Sequence, residues 1–366
     1  MAIFKRAALF LFLVPLLTAV NCKKSSKNND PVGPVELQET IVADDLNYPW
    51  EILWGPDNQI WFTQRGGEVS RLDPATGDVT PVYDIPDVVS NGEGGLLGMV
   101  LHPSFTTTPH VFVVYDYNSG GGNYREKVVR FTYSGGTLTS PFTVIDNLAA
   151  SGIHNGSRLL ISGDKIFITT GDASDQSLPQ NINSRNGKIL RLNLDGSIPA
   201  DNPVANNPYW SLGHRNPQGL VFANNNLISS EHGPDSDDEI NLIEKGRNYG
   251  WPDVKGFCDA GEQSTCTAKN VKEPLKAWTP TVATSGLDYY NSDLIPQWKN
   301  SLLLTTLKGQ TLYQMELNSA QNGITSSNTY LNGKYGRLRD ICISPEGKVY
   351  VCTSNGDDRI IELKPK

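Results

Sequence analysis

Short runs of apolar, aromatic and β-branched residues recur along the chain, and clusters of Gly, Asn, Asp and Pro separate them. Such runs predict β-strands, because these side chains suit a pleated surface and the separating residues favour turns. The runs come in pairs, one pair in each of six successive copies of the pattern. They are residues 60–63 and 69–72, 111–115 and 128–132, 166–169 and 188–192, 227–230 and 239–243, 302–306 and 312–315, and 349–353 and 359–363.

The spacing of these copies indicates the architecture. A repeat of roughly 40–60 residues with several strands per unit is typical of propeller blades. We therefore predict an all-β fold, a six-bladed β-propeller with four-stranded antiparallel blades, as one domain over residues 37–366. Residues 37–43 are apolar enough to add a strand to the last blade and close the ring. An immunoglobulin-like array is the alternative, but it offers functional residues no common place to meet.

Composition excludes several other classes of protein. The 366 residues include 34 Gly and 23 Pro but only 3 Met, which argues against a helical protein. The formal net charge of −8 argues against a nucleic-acid-binding protein, because such proteins need a basic face that releases counterions. A chain of this length can also bury enough apolar surface to fold without covalent staples.

The N-terminus has the layout of an export signal. Lys5 and Arg6 precede an apolar run over residues 7–20, which is too short for a comfortable membrane span. Small residues, then Cys22, then a polar stretch resemble a bacterial lipoprotein signal. We predict that residues 1–21 are removed, that Cys22 is lipidated and that residues 22–36 form a tether. The protein would then be exported to the periplasm or cell envelope and held on a membrane only by its lipid. An ordinary secretory signal is the alternative.

Export changes the interpretation of the remaining cysteines. Four of them in an oxidising compartment suggest two disulfides, with three possible connectivities. We predict the local pairing, in which Cys258 joins Cys266 across a loop and Cys342 joins Cys352 across a hairpin. A zinc site is the competing interpretation, but the sequence has no Cys-x-x-Cys and no His near these cysteines.

Several polar segments adjoin the predicted strands and carry more polarity than blade packing needs. Four of them are EGGLLGMVLHP at residues 93–103, GIHNGSR at 152–158, GHRNPQG at 213–219 and NYGWP at 248–252. Together, and in this order, they resemble the glucose/sorbosone dehydrogenase family. The resemblance runs from about residue 40 to residue 364. It implies a six-bladed propeller that uses pyrroloquinoline quinone (PQQ) and calcium.

The resemblance also implies roles for individual residues. His154 resembles the general base that takes the proton of the anomeric hydroxyl, and an imidazole suits that task because it titrates near neutral pH. Arg215 and Asn216 resemble the pair that hydrogen-bonds the quinone carbonyls, with Arg215 also stabilising the charge that develops there. The cofactor-binding positions are Glu93, Arg215, Asn216, Lys308, Arg337 and Arg339, of which the last three resemble the cations that hold the PQQ carboxylates.

Calcium ligands follow from the same resemblance. Gly233 and Pro234 resemble the backbone carbonyls that bind a calcium next to the cofactor. Glu239 and Tyr249 match a second, structural calcium site. We interpret His214 and His232 as structural histidines or as histidines that support the residues in contact with the ligand.

Two positions depart from the family pattern. Ile153 stands where glucose-active members have Asp, so we expect His154 to lack an adjacent carboxylate that orients it. Glu93 stands where PQQ-binding members have Gln.

These features predict PQQ- and calcium-dependent oxidation of an aldose sugar at C1 to the lactone. The electrons would pass through PQQ to an external acceptor, which is a quinone, a dye or a cytochrome. The alternative is a non-catalytic propeller that binds a glycan or a protein at the same mouth; Glu93 and Ile153 favour it, and the basic cluster with His154 opposes it. A calcium-dependent lactone hydrolase is a third possibility, which would need a carboxylate-lined metal in the channel.

Overall fold

The computed structural model describes Met1 and residues 35–366. The predicted cleavage point, the lipidation of Cys22 and most of the tether lie outside the described residues. Within them, no helix is both long and apolar enough to span a bilayer.

The described chain forms six four-stranded antiparallel sheets, as predicted. Helical structure is limited to α1 (Gln263–Lys269) and one 3₁₀ turn, Pro296–Trp298, in the part of the chain described. In chain order the strands are β1 (Leu37–Leu46), β2 (Pro49–Trp54), β3 (Ile60–Gln64), β4 (Glu68–Leu72), β5 (Val79–Asp84), β6 (Leu96–Leu101), β7 (His110–Asn118), β8 (Tyr124–Ser134), β9 (Thr137–Ala149), β10 (Gly156–Ser162), β11 (Lys165–Thr170), β12 (Lys188–Asn193), β13 (Tyr209–Leu212), β14 (Pro217–Ala223), β15 (Asn226–Glu231), β16 (Asp238–Ile243), β17 (Lys276–Trp278), β18 (Thr284–Tyr290), β19 (Ser301–Thr306), β20 (Leu312–Leu317), β21 (Ile324–Tyr330), β22 (Leu338–Ile343), β23 (Val349–Thr353) and β24 (Asp358–Pro365).

Both ends of the propeller domain share the last blade, which has the strand order β1-β24-β23-β22. Leu37 lies opposite Pro365, and Ile41 lies opposite Ile361. The N-terminal strand therefore closes the ring as the sequence predicted, and closure removes the free sheet edges that an open array would expose.

One strand of each sheet lines the centre of the ring, which is the first strand in five of the sheets and β22 in the sheet that also contains β1. Strands β2, β6, β10, β14, β18 and β22 contact one another in a closed cycle. In all six, the pairing with the next strand shifts register within the first few residues. Such irregularities re-aim side chains and end regular pairing. The beginnings of the six central strands therefore form one irregular, polar mouth.

Apolar side chains fill the spaces between neighbouring blades. One cluster joins Trp61 and Val69 of the first blade to Leu96 and Val113 of the second, and all four are almost fully buried. Burying a side chain of this size stabilises the fold by about 1.5–3 kcal/mol. The blades therefore form a rigid scaffold on which the mouth is built.

The structure confirms one predicted disulfide and corrects the other. Cys258 and Cys266 are bonded. Cys342 and Cys352 are both buried free thiols, so the predicted second bond is wrong. Cys342 lies opposite Tyr350, whereas Cys352 lies opposite Asp340, so the two cysteines are diagonal neighbours on β22 and β23. Diagonal neighbours in an antiparallel pair are about 7–8 Å apart, which is too far for a disulfide.

Candidate active site

His154 lies on the loop that enters β10, with its backbone in the left-handed region (φ 62°). The backbone N–H of Ala173 donates to the His154 carbonyl at 3.1 Å. This close approach needs Gly171, because a Cβ there would lie 1.8 Å from the His154 carbonyl oxygen. The loop at the end of β11 thus fixes the backbone of His154.

A carboxylate orients the His154 ring, contrary to the expectation from Ile153. Asp172 Oδ1 accepts a hydrogen bond from His154 Nδ1 at 2.9 Å. The expectation concerned the residue next to His154 in sequence, whereas the carboxylate comes from the neighbouring loop. The geometry leaves Nε2 as the ring nitrogen that can accept a proton.

Asp172 itself is held from several sides and is only 1% exposed. Its Oδ1 also accepts from the Ser174 N–H at 2.8 Å, and its Oδ2 accepts from Trp251 Nε1 at 2.9 Å. The loop that follows Asp172 is anchored by the buried Lys188 ammonium, which donates to three carbonyl oxygens, those of Leu178, Pro179 and Asn186, at 3.0, 2.8 and 2.9 Å. The carboxylate that orients His154 is therefore rigidly positioned.

Arg215 and Asn216 lie directly before β14, and a buried network fixes them there. Glu231 accepts hydrogen bonds from the Arg215 backbone N–H and from His214 Nδ1. His214 also bonds Ser211 through Nε2 at 2.8 Å, and its ring stacks on Tyr249. His214 is thus a fully buried structural residue, as interpreted from the sequence.

Both members of this pair keep donors free within the part of the chain described. The Asn216 side-chain oxygen accepts from the Gly156 N–H at 3.0 Å, but its buried Nδ2 has no partner. The buried Nε of Arg215 also has no partner, and the guanidinium lies 5.3 Å from the centre of the Trp251 ring. Burial lowers the pKa of Arg215. Unsatisfied buried donors are costly and point to a missing acceptor.

Arg339 and Arg337 enter the same mouth at the beginning of β22. Arg339 is 6% exposed and donates to Gln218 Oε1 at 2.8 Å, whereas its Nε has no partner among the described residues. Burial lowers the pKa of Arg339 to about 10, and the nearby charges of Glu93 and Arg337 also act on it. Arg337 and Glu93 are exposed. Arg337 and Arg339 therefore lie together at the beginning of β22, and the charge of Glu93 acts on the pKa of Arg339.

Glu93 is tied to the loop that carries His154. Its backbone N–H donates to the Gly152 carbonyl at 2.7 Å. Ile153, which follows Gly152 in the chain, has an exposed side chain. The two positions that depart from the family pattern thus lie side by side at the rim.

His232, expected to be structural or to support the site residues, lies where the charges of Arg339 and Arg215 act on it. Its buried Nε2 has no partner in the described part of the chain. Burial, together with the charges of Arg339 and Arg215, lowers the pKa of His232 to about 3, so the ring is neutral at pH 7. His232 is a candidate contact that the sequence did not identify, although it directly precedes the proposed calcium-binding residue Gly233.

The loop with Gly233 and Pro234 connects to Lys308 through Asp238. Asp238 Oδ1 accepts from the Gly233 N–H at 2.8 Å, and its Oδ2 accepts from the backbone N–H groups of Val282 and Ala283. Lys308 is exposed and donates to Thr281 Oγ1 at 3.2 Å. Asp238 therefore holds the candidate calcium loop beside the segment that contacts Lys308.

Glu239 and Tyr249 are both engaged within the protein. Glu239 accepts from the Gly256 N–H and from Asn241 Nδ2, each at 2.8 Å. The Tyr249 hydroxyl donates to the Leu242 carbonyl and accepts from the Glu244 N–H, which leaves its backbone carbonyl as its candidate metal ligand. Over the described residues, no three His, Cys, Asp or Glu side chains lie close enough to hold a metal alone.

The arrangement combines an oriented histidine with a set of buried donors at one mouth. The unpaired nitrogens of Arg215, Asn216 and Arg339 can donate to a ligand rich in oxygen atoms and negative charge. Asp172 was missed by the sequence analysis, although a Gly-Asp pair directly after a strand near the mouth was a usable signal.

Sequence comparisons identify related proteins. The profile of the family described as glucose / sorbosone dehydrogenase matches residues 46–362. Quinoprotein glucose dehydrogenase B of Acinetobacter calcoaceticus is 34% identical over 431 residues, covering 93% of this chain and 88% of that protein. Aldose sugar dehydrogenase YliI of Escherichia coli (strain K12) is 32% identical, covering 97% of this chain and 98% of that protein.

Solved structures show the same fold. The soluble aldose sugar dehydrogenase of Escherichia coli, in the apo form, has a TM-score of 0.82 and 30% identity, covering 90% of this chain and 100% of that one. The PQQ-bound form of an aldose sugar dehydrogenase from Streptomyces coelicolor has a TM-score of 0.79 and 32% identity, covering 91% and 99%.

Proposed function

The chain belongs to the glucose/sorbosone dehydrogenase family, and on that basis we propose that it is a PQQ- and calcium-dependent dehydrogenase that oxidises aldose sugars at C1 to lactones. The observation that carries the proposal is the group of unpaired, buried donors beside a histidine oriented by a carboxylate. The names of the relatives support a sugar substrate and a quinone cofactor.

The chemistry of the donor set fits PQQ, which carries carboxylates and quinone oxygens. Arg215 and Asn216 would donate to the quinone oxygens through the nitrogens that lack partners. Arg337, Arg339 and Lys308 would hold the carboxylates, which an acidic protein can retain only with such local cations. Bound PQQ would accept the two electrons of the sugar as a hydride equivalent and pass them to an external acceptor.

His154 would act as the base in this proposal. Its Nε2 would take the proton of the anomeric hydroxyl while the C1 hydrogen leaves as hydride, and the Asp172 carboxylate would stabilise the resulting imidazolium. Arg215 would stabilise the negative charge that develops on the oxidant. The C1 carbon thereby becomes the lactone carbonyl.

Calcium would bind at the carbonyl oxygens of Gly233 and Pro234, in a loop that Asp238 holds in place. Backbone carbonyls are ligands that calcium prefers, and the cofactor and water would complete its coordination. A second calcium would use Glu239 with the backbone carbonyl of Tyr249.

Substitutions of the charged residues at the mouth test directly whether the protein binds PQQ. We expect the parent protein, with calcium present, to bind PQQ and show the absorption of the bound quinone. Arg339→Ala should weaken uptake by about 10- to 150-fold, the value of a charge-assisted hydrogen bond. Arg337→Ala should weaken it less, because Arg337 is exposed. Glu93→Gln should strengthen uptake by removing a negative charge near the ligand.

Lys299→Ala is the matched control, because Lys299 pairs with Asp293 in the turn after β18, away from the mouth. It should leave PQQ uptake unchanged. If the parent binds no PQQ at micromolar concentrations with calcium, the dehydrogenase proposal fails, and a propeller that binds a glycan or a protein becomes the better account.

We further propose that the protein is exported and attached to a membrane by lipid at Cys22. The basic and apolar segments before Cys22 and the polar segment after it support this. Cys22→Ala should release the protein into the soluble fraction or block its maturation, which fractionation and mass determination would detect. Unchanged membrane attachment would rule out the lipid anchor.

A further inference from the structure

Two carboxylates lie opposite each other inside the second blade. Asp116 on β7 pairs in register with Glu126 on β8, so their side chains share one face of the sheet. Asp116 is 1% exposed and Glu126 is fully buried. Asp116 Oδ1 and Glu126 Oε2 have no hydrogen-bond partner in the described part of the chain. A buried oxygen without a donor is unusual, and here two of them come from facing side chains.

The other oxygen of each carboxyl holds the loop that carries His154. Asp116 Oδ2 accepts from Asn155 Nδ2 at 3.2 Å, and Glu126 Oε1 accepts from the Ser157 hydroxyl. Asn155 also bonds the backbone of Ser151 through both ends of its amide. The two carboxyl groups therefore hold the side chains of Asn155 and Ser157, which follow His154 in the chain.

Among the described residues no cation pairs with either carboxylate. Burial acts on both groups, and the charge of Asp116 also acts on Glu126. The neighbouring cations of β8, Arg125 and Lys127, bond Asn147 and Asp87 instead. On β10, Arg158 pairs with Glu51 and Asp340, and Gly94, in the loop before β6, lies against Asp116 Oδ2.

Two ionised carboxylates facing each other without a cation would repel strongly in a buried site. A metal ion is disfavoured, because the site contains the Asn155 amide donor and no third acidic or imidazole ligand among the described residues. Burial raises the pKa of Asp116 to about 8 and raises that of Glu126 well above its ordinary value. Keeping one proton on the pair removes this repulsion and turns one of the two unpartnered oxygens into a donor.

We propose that Asp116 and Glu126 share one proton and that this protonated pair positions the loop that carries His154. Loss of the proton at alkaline pH leaves two facing negative charges, which push apart the side chains that hold Asn155 and Ser157. The effect on turnover rests on the proposed function, whereas the effect on folding stability does not.

The stability test follows from proton linkage. Between about pH 5 and pH 8 the folded pair keeps a proton that the unfolded chain has released, so this contribution to stability is present at acid pH and is lost as the pH rises. Glu126→Gln replaces the protonated carboxyl with an amide that donates to ionised Asp116. The unfolding equilibrium constant of the parent should therefore rise about tenfold per pH unit relative to Glu126→Gln.

The reciprocal variant distinguishes a shared proton from two separate ones. If the pair shares one proton, the unfolding equilibrium constant of the parent rises about tenfold per pH unit relative to each of three variants. These are Asp116→Asn, Glu126→Gln and the double variant. With two separate protons, the double variant differs twice as much as either single one, which would overturn the sharing. Asp146→Asn, an exposed carboxylate on β9 of the same sheet, should show no slope relative to the parent. If the ratio of the unfolding equilibrium constants of the parent and Glu126→Gln does not change with pH, the proposal is wrong.

The positioning role needs a separate measurement. At pH 9 we expect the backbone amides of residues 151–158 to exchange hydrogen faster in the parent than in Glu126→Gln, without PQQ or sugar present. In PQQ-loaded protein the parent should lose kcat above about pH 8 with little change in KM, and Glu126→Gln should retain it. Equal exchange in the two proteins would overturn positioning. If PQQ is not taken up at all, the exchange and stability results still decide this inference.

Discussion

His154→Ala is expected to take up PQQ like the parent and to lose turnover of aldose sugars by about 10²–10⁴-fold, the usual contribution of a positioned acid–base group. The reason is geometric, because Asp172 holds Nδ1 of His154 and leaves Nε2 free to accept a proton. The cofactor-holding donors belong to other residues, so removing the imidazole leaves them in place. PQQ titration and dye-linked aldose oxidation on the same preparations measure the two properties separately.

His102→Ala is the matched control for this variant. His102 follows the end of β6, at the opposite end of a central strand from the mouth, and it contacts His110 rather than the site. It should leave both uptake and turnover near the parent values. If His154→Ala turns over sugar within a few-fold of the parent rate, His154 is not the general base and another residue must take the proton.

The regular part of the fold was predictable from the sequence, and the central strands were not. The predicted runs correspond to the second and third strands of each blade, such as β3 and β4, where burial is continuous and the apolar signal is strong. Three of the six central strands begin with Gly or Pro, as Gly156–Ser162 and Pro217–Ala223 do, so no apolar run marked their beginnings. The register shifts at their beginnings explain that pattern, since irregular pairing tolerates such residues.

Most of the candidate site residues were proposed from motifs. The contacts that the motifs did not predict have one physical cause. A motif reports residues that are close in sequence, whereas His154 is oriented by a residue on the next loop and Asn216 bonds the backbone of Gly156. The predicted Cys342–Cys352 bond failed for a different reason, because spacing along the chain does not give the register of β22 and β23, which places the two cysteines diagonally. Contacts between neighbouring blades join residues that are far apart in sequence, and a local motif does not report them.

Asp172→Asn is expected to lower turnover by up to about 10⁴-fold, the loss caused by the same change in the His–Asp pair of serine proteases. Asp172 accepts hydrogen bonds from His154, Ser174 and Trp251. An Asn side chain has one acceptor oxygen, so its NH₂ group must face at least one of these donors. If it faces His154, the ring must turn to its other tautomer, in which Nε2 carries hydrogen and cannot take the proton from the sugar.

This variant separates positioning from folding, because the expected loss is confined to kcat. PQQ uptake and the KM for the sugar should change little, since the donors of Arg215, Asn216 and Arg339 are untouched. Asp175→Asn serves as the control, because Asp175 is an exposed carboxylate three residues further along the same loop that bonds Ser177. A parallel loss of PQQ uptake and thermal stability in Asp172→Asn would instead mean that Asp172 holds the loop together and does not act through His154.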